Sequence, residues 1–158
     1  MISISTRWAC SPENVGSLCA YALGELRAYY GTALSEERLY DIELALSEAC
    51  TNVMEHGYRW KAGVFLELVI GMSEKHIHFK VVDWAEEFKI DAVPTPNLNE
   101  PQVRGLGSYL LREVSDRLDY RREEARNVLT MTFLVGGKPK FTGSDGARPQ
   151  EGSHERGI

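Results

Sequence analysis

Three polar residues, Glu48, Asn52 and His56, stand four positions apart in one segment of the chain. Apolar residues recur around them at three- and four-residue spacing, which predicts a helix. Side chains four positions apart share one helix face, and this face borders the predicted core stripe because Glu48 and Ala49 differ by about 100° around the axis. A carboxylate, an amide and an imidazole there could line a cleft, or they could form an ordinary polar helix edge in water.

Two later features have residue types that could serve a nucleotide. Asp83 ends an apolar strand and could accept a hydrogen bond from an exocyclic amine such as that of adenine, although aspartate is also common in strand-end turns. Arg104-Gly105-Leu106-Gly107 precedes a predicted helix, where backbone N–H groups can approach phosphate oxygens. A tight turn before a helix would explain the same glycines.

The elements that must position these residues follow from apolar periodicity. Helices are predicted from Ser11 to near Gly31, from Ser35 to Gly57 and from Gly105 to Leu118, the first two with serine N-caps. Strands are predicted over 2–8, 64–70, 76–82, 119–123 and 128–135, with a turn at 71–74. The segment 84–104 contains three prolines and is predicted to be a long loop, which in a compact domain is usually functional or disordered.

Composition limits the class of protein. The 158 residues suit one domain, predicted over 1–135, and the polar segment 136–158 is predicted to be a disordered tail. A formal net charge of −5 argues against direct nucleic-acid binding. Three widely spaced cysteines predict neither a disulfide framework nor a zinc site. No stretch approaches the roughly 18 apolar residues needed to cross a bilayer, and the N-terminus lacks a signal-peptide pattern. The cysteine usage suits a reducing cytoplasm, which is the expected location.

The order of these features resembles the GHKL ATPase superfamily. Within it, the segment SEACTNVMEHGY at 47–58 resembles the helix box of the anti-sigma-factor serine-protein kinases. The resemblance covers residues 2–135. It implies an α+β fold, a two-layer α/β sandwich of the Bergerat type, with a mixed, mostly antiparallel sheet and helices on one face.

The resemblance also implies roles for particular residues. Glu48 would be the general base that activates the attacking hydroxyl, Asn52 would bind Mg²⁺, and Asp83 would bind the adenine amine. The segment 84–104 would be the lid over ATP, and His56 would only close the helix. The remaining implied contacts to ATP are Arg104 at the γ-phosphate, Gly105, Leu106 and Gly107 at the phosphates, and Thr130 near the adenine.

One position departs from the family pattern. That pattern begins with the adenine-binding aspartate and reads D-x-G-x-G or D-x-G-x-x-F, whereas this chain reads DWAEEF over 83–88 and, beyond the aspartate, matches only the phenylalanine of the second form. Ala85 therefore replaces the glycine that would let the backbone approach the nucleotide. If this position needs a positive φ, alanine would be strained by about 1 kcal/mol or more.

The resemblance implies an ATP- and Mg²⁺-dependent kinase. The resemblance implies that it phosphorylates serine or threonine of a STAS-type anti-sigma-factor antagonist, otherwise sequesters a sigma factor, and forms a homodimer. Two alternatives stay open: a non-catalytic or weakly ATP-binding module of the same fold that acts by sequestration, and a kinase whose protein target lies outside transcription.

Overall fold

The computed structural model describes residues 1–86 and 106–140, with side chains from Tyr109 onward in the second range. The strands are β1 (Ile2–Ala9), β2 (Phe65–Met72), β3 (His76–Asp83), β4 (Arg117–Glu123) and β5 (Arg126–Leu134). The helices are α1 (Pro12–Tyr30), α2 (Glu36–Thr51) and α3 (Leu106–Val114). A 3₁₀ turn (Gly31–Ala33) follows α1, and a π-helical segment (Asn52–Gly57) continues α2.

The strands form one sheet in the order β1-β2-β3-β5-β4, and each of its pairings is antiparallel. On β3, buried Ile77, Phe79 and Val81 alternate with partly or fully exposed His78 and Lys80. Since successive side chains point to opposite faces of a strand, one face of the sheet carries the core. This arrangement confirms the predicted α+β fold with helices on one face.

The helices bury the stripes that their periodicity predicts. In α2 the sequence-predicted stripe is buried at Leu39, Ile42, Leu46 and Ala49, and α2 contacts both α1 and α3. Ser11 Oγ accepts a hydrogen bond from the Asn14 N–H at 3.3 Å, and Ser35 Oγ accepts one from the Arg38 N–H at 3.1 Å. Both predicted N-caps are therefore confirmed. Within the described ranges, no helix is long and apolar enough to cross a membrane.

Several predicted boundaries are wrong, among them the ends of β2 and of the third helix. β2 extends through Met72, because Met72 pairs with both Ile2 and Ile77, and the chain reverses only at 73–75. The third helix ends at Val114 and does not reach Leu118. Leu118 instead lies in β4, where it pairs with Met131, so it contacts the core from a strand and not from a helix.

A buried arginine ties α2 to the ends of the last two strands. Arg38 is fully buried and forms ion pairs with Asp41, at 3.2 Å, and with Asp116. Its guanidinium also donates to Leu134 O at 3.3 Å. The Lys140 N–H donates to Asp41 Oδ2 at 2.7 Å, and Lys140 Nζ lies 3.3 Å from Asp116 Oδ1. The sequence analysis did not predict this ionic cluster, because its members are far apart in the chain.

Candidate functional site

The helix box changes its winding in the middle. α2 ends at Thr51, and the π-helical segment then begins at Asn52. The Tyr58 N–H donates to Val53 O, five residues back, at 2.8 Å. Single π-helical turns occur frequently at functional sites. Asn52, the residue expected to bind Mg²⁺, therefore stands at the junction of the two windings.

One pocket opens between this junction, the end of β3 and the inner face of β5 and β4. It is lined by Ala49, Asn52, Val53, Gly57, Asp83, Ala85, Glu86, Leu111, Tyr120, Asn127 and Leu129. Three of the sequence-predicted site residues, Asn52, Asp83 and Ala85, thus meet in it. Glu48 lies one turn before Asn52 and is partly buried, outside the lining itself.

The Glu48 carboxylate is perturbed by its surroundings. Burial raises its pKa above the usual value, and the nearby Glu55 carboxylate raises it further, while His56 lowers it. A raised pKa suits a group that must accept a proton near neutral pH. His56 itself is exposed, and the segment closes at Gly57.

The Asp83 carboxylate is buried at the pocket wall. Its Oδ1 accepts hydrogen bonds from Asn127 Nδ2 at 2.8 Å and from the Ala85 N–H at 2.9 Å. Burial raises its pKa, whereas these two bonds and the charge of Arg122 lower it. The carboxylate is therefore held in place through one oxygen by the described residues.

Ala85 does not adopt the strained backbone considered from the sequence. Among the described non-glycine residues, positive φ occurs at Arg59, Trp60 and Glu124. Instead, Ala85 is accommodated by a glycine elsewhere: a Cβ built on Gly57 would lie 3.0 Å from the Ala85 Cβ. The methyl group of Ala85 thus occupies space that a side chain at position 57 would need.

Asn127 is the main pocket residue that sequence reasoning missed. It lies on β5 directly opposite Asp83 and is only 2 % exposed. A polar residue on the same strand face as Leu129 and Met131 was the available sequence signal, because core-facing strand positions are normally apolar. Arg122 was not predicted as a site residue either, yet it reaches this site and donates to Ala85 O at 2.9 Å.

Thr130 is not brought to this pocket. It pairs with Lys80 on the face of the sheet opposite the described helices, where it lines a shallow groove with His78, Thr132 and Arg117. The alternation of β5 explains the placement, because Thr130 is an odd number of positions from Asn127. Thr130 therefore faces away from this pocket, and its place near the adenine remains a prediction.

Several predicted phosphate contacts cannot be placed. Arg104, Gly105 and most of the predicted lid, 87–104, lie outside the described residues. Leu106 and Gly107 begin α3, and their side chains are likewise outside the description.

The sequence profile of the histidine kinase-like ATPase domain family matches residues 9–133. The chain belongs to this family. It is 28 % identical over 102 residues to the serine-protein kinase RsbW of Bacillus mycoides, a match that spans 60 % of this chain and 63 % of that relative. It is 24 % identical over 141 residues to RsbW of Bacillus subtilis, spanning 84 % and 86 % of the two chains.

A solved structure agrees at the level of the fold. The RsbU and RsbW domains of a Mycobacterium tuberculosis protein superpose with a TM-score of 0.58 at 16 % identity, covering 85 % of this chain and 33 % of that one. These matches confirm the resemblance to the serine-protein kinases that the helix box indicated.

Proposed function

We propose that this chain is an ATP-dependent serine/threonine protein kinase that acts as an anti-sigma factor. In this proposal it phosphorylates a STAS-type anti-sigma-factor antagonist in a partner-switching system and otherwise binds a sigma factor. The observation that carries the proposal is the meeting of Asn52 and Asp83 in one pocket, with Glu48 one helical turn away. The similarity to serine-protein kinases named RsbW supports it.

The residues fit a Mg²⁺-nucleotide better than a metal held by protein alone. In the described ranges, no three His, Cys, Asp or Glu side chains gather around a possible metal site. The described residues also make no hydrogen bond to the Asn52 side chain. Mg²⁺ keeps several waters and is usually bound by one or two protein groups together with substrate phosphates. Asn52 would supply its amide oxygen, and the metal would neutralise charge on the phosphates.

Glu48 and Asp83 would have two further roles, proton acceptance and adenine binding. Phosphoryl transfer needs positioning and charge neutralisation more than covalent help. Glu48 would accept the proton of the attacking serine or threonine hydroxyl, and its raised pKa supports this role. Asp83 would accept a hydrogen bond from the adenine amine. Arg104 and the backbone of Gly105, Leu106 and Gly107 remain proposed phosphate contacts.

The test is phosphate transfer from Mg-ATP to a purified antagonist. Glu48→Gln should abolish transfer while leaving Mg-ATP binding, because the amide keeps the shape but accepts no proton. Asn52→Ala should weaken the Mg²⁺-dependent part of binding and also abolish transfer. Glu74→Gln, on the exposed turn between β2 and β3, serves as the control and should transfer normally. Undiminished transfer in both Glu48→Gln and Asn52→Ala would contradict the assigned roles.

A non-catalytic binding module is the second candidate, and the composition of the pocket favours it. Ala85 stands where the family pattern has a glycine, and this residue lines the pocket. Exposed Glu86 also adds negative charge beside the pocket. Calorimetry with Mg-ATP decides between the candidates: no heat of binding favours the module, and micromolar binding favours the kinase.

The resemblance also leads us to propose a homodimer located in the cytoplasm. Sedimentation equilibrium of the purified chain tests the dimer. A molecular mass equal to 17.8 kDa across the micromolar range would contradict it.

A further inference from the structure

Asn127 makes hydrogen bonds through both ends of its amide. Nδ2 donates to Asp83 Oδ1 at 2.8 Å and to Ala85 O at 3.0 Å. Oδ1 accepts from Tyr120 Oη and from Arg122 Nη1, each at 2.9 Å. The reversed amide would place its oxygen against two acceptors and its nitrogen against a guanidinium that can only donate. The network therefore permits one orientation of the Asn127 side chain.

This orientation determines which oxygen of Asp83 is engaged. Both hydrogen bonds that the described residues make to the carboxylate end on Oδ1. Within those residues Oδ2 has no hydrogen-bond donor, although Asp83 is buried and lines the pocket together with Asn52. A buried carboxylate oxygen without a donor costs free energy, so an incoming amine that supplies one would be favoured.

Asn127 also favours the charged form of that carboxylate. Its hydrogen bond opposes the burial that raises the pKa of Asp83, as do the Ala85 N–H and the charge of Arg122. An ionised carboxylate only accepts hydrogen bonds. It would attract an exocyclic amine and repel a carbonyl oxygen at the same position of a purine ring.

We propose that Asn127 is a positioning residue for nucleotide selection: it holds Asp83 through Oδ1 so that Oδ2 accepts the 6-amino group of adenine. This inference rests on the proposed ATP binding. It assigns selectivity between purines to a side chain of β5 that does not itself need to touch the base. A purely structural role for Asn127 would instead affect all purine nucleotides equally.

The test compares two nucleotides that differ only by the amine. Binding of Mg-ATP and of the Mg²⁺ complex of purine riboside triphosphate, which carries hydrogen in place of the 6-amino group, is measured by calorimetry. The unsubstituted chain should bind ATP about tenfold or more tightly than the analogue, because a hydrogen bond to a charged group is lost. Asn127→Leu should weaken ATP binding about tenfold and change analogue binding little, so that the preference disappears.

Two further variants make the comparison decisive. Thr132→Val, on the face of β5 that points away from the described helices, should keep the full preference for ATP. Cooperative unfolding shows that a variant is folded, and if Asn127→Leu lacks it, Asn127→Thr is measured in its place. Threonine retains a hydroxyl donor with less reach, so an intermediate preference for ATP is expected. Equal weakening of both nucleotides in the folded Asn127 variant would overturn the positioning role while leaving ATP binding intact. Failure of the unsubstituted chain to bind either nucleotide would overturn the proposed function and this inference with it.

Discussion

Gly57 and Ala85 form a size-matched pair in the pocket lining. Glycine in a helical segment normally costs stability relative to alanine, so its presence at 57 needs a reason. The reason is the methyl group of Ala85, which lies 3.0 Å from where a Gly57 Cβ would be. The alanine that departs from the family pattern is therefore tolerated because the helix box has a glycine at position 57.

Gly57→Ala should lower the free energy of unfolding by about 1–3 kcal/mol, the usual cost of overpacking. Ala85→Gly in the same chain should recover most of that loss, since it removes the contacting methyl. Urea denaturation of the single and double variants measures both effects. Gly16→Ala is the matched control: nothing lies within 4 Å of a Cβ at that helical position, so it should be neutral or stabilising. A harmless Gly57→Ala would contradict the size match.

The charges around Glu48 predict the pH dependence of the proposed transfer. Only the deprotonated carboxylate can accept a proton, so kcat should fall as the pH drops through the raised pKa of Glu48. Glu55 raises that pKa and His56 lowers it. Glu55→Gln should therefore move the acid limb of the kcat profile to lower pH, and His56→Gln should move it to higher pH. Two shifts in the same direction would contradict Glu48 as the titrating base, and Glu74→Gln provides the unshifted reference.

At the scale of elements, the ionic cluster of Arg38 holds α2 against the ends of β4 and β5. The guanidinium joins residues that are far apart in the chain, since Asp116 lies 78 positions and Leu134 O lies 96 positions away. It also lies over the Phe133 ring, 5.3 Å from its centroid. α2 carries the helix box, so this cluster contributes to the position of Asn52 relative to the sheet.

Arg38→Leu should lower the free energy of unfolding by about 3–5 kcal/mol, because it leaves the Asp41 and Asp116 carboxylates without their buried counter-charge. Arg27→Leu is the matched control, since Arg27 pairs with Glu36 on the exposed surface and should change stability by no more than about 1 kcal/mol. Chemical denaturation of both variants provides the comparison. Equal, small losses would show that the buried cluster contributes little.

At the scale of the whole molecule, the pocket joins both layers of the fold. The helix box supplies one wall, and β3, β5 and β4 supply the other. A ligand that binds there contacts elements distant in sequence and should stabilise the folded chain as a unit.

Mg-ATP should therefore raise the melting temperature in a concentration-dependent way. At a concentration 100 times the Kd, the free energy of unfolding should rise by about 2.7 kcal/mol. Scanning calorimetry with and without EDTA separates the Mg²⁺-dependent part, which Asn52→Ala should remove. A melting temperature that does not respond to Mg-ATP would count against nucleotide binding.

Local patterns in the sequence were sufficient for the elements and for part of the site. Ser11 and Ser35 cap their helices because the capping hydrogen bond spans only three residues. The stripe of α2 and the alternation of the strands depend on backbone periods that operate over a few residues. Asn52 and Asp83 were proposed from motifs that are local as well, and both line one pocket.

Tertiary structure alone decided the rest. The register of β3 and β5 placed Asn127 opposite Asp83 and turned Thr130 to the other face, which a one-position slip would have reversed. Packing between distant segments matched Gly57 to Ala85. Such contacts depend on how whole elements approach each other, so no short stretch of sequence encodes them. The contact of Asn127 with Asp83 was therefore found only once the strands were paired.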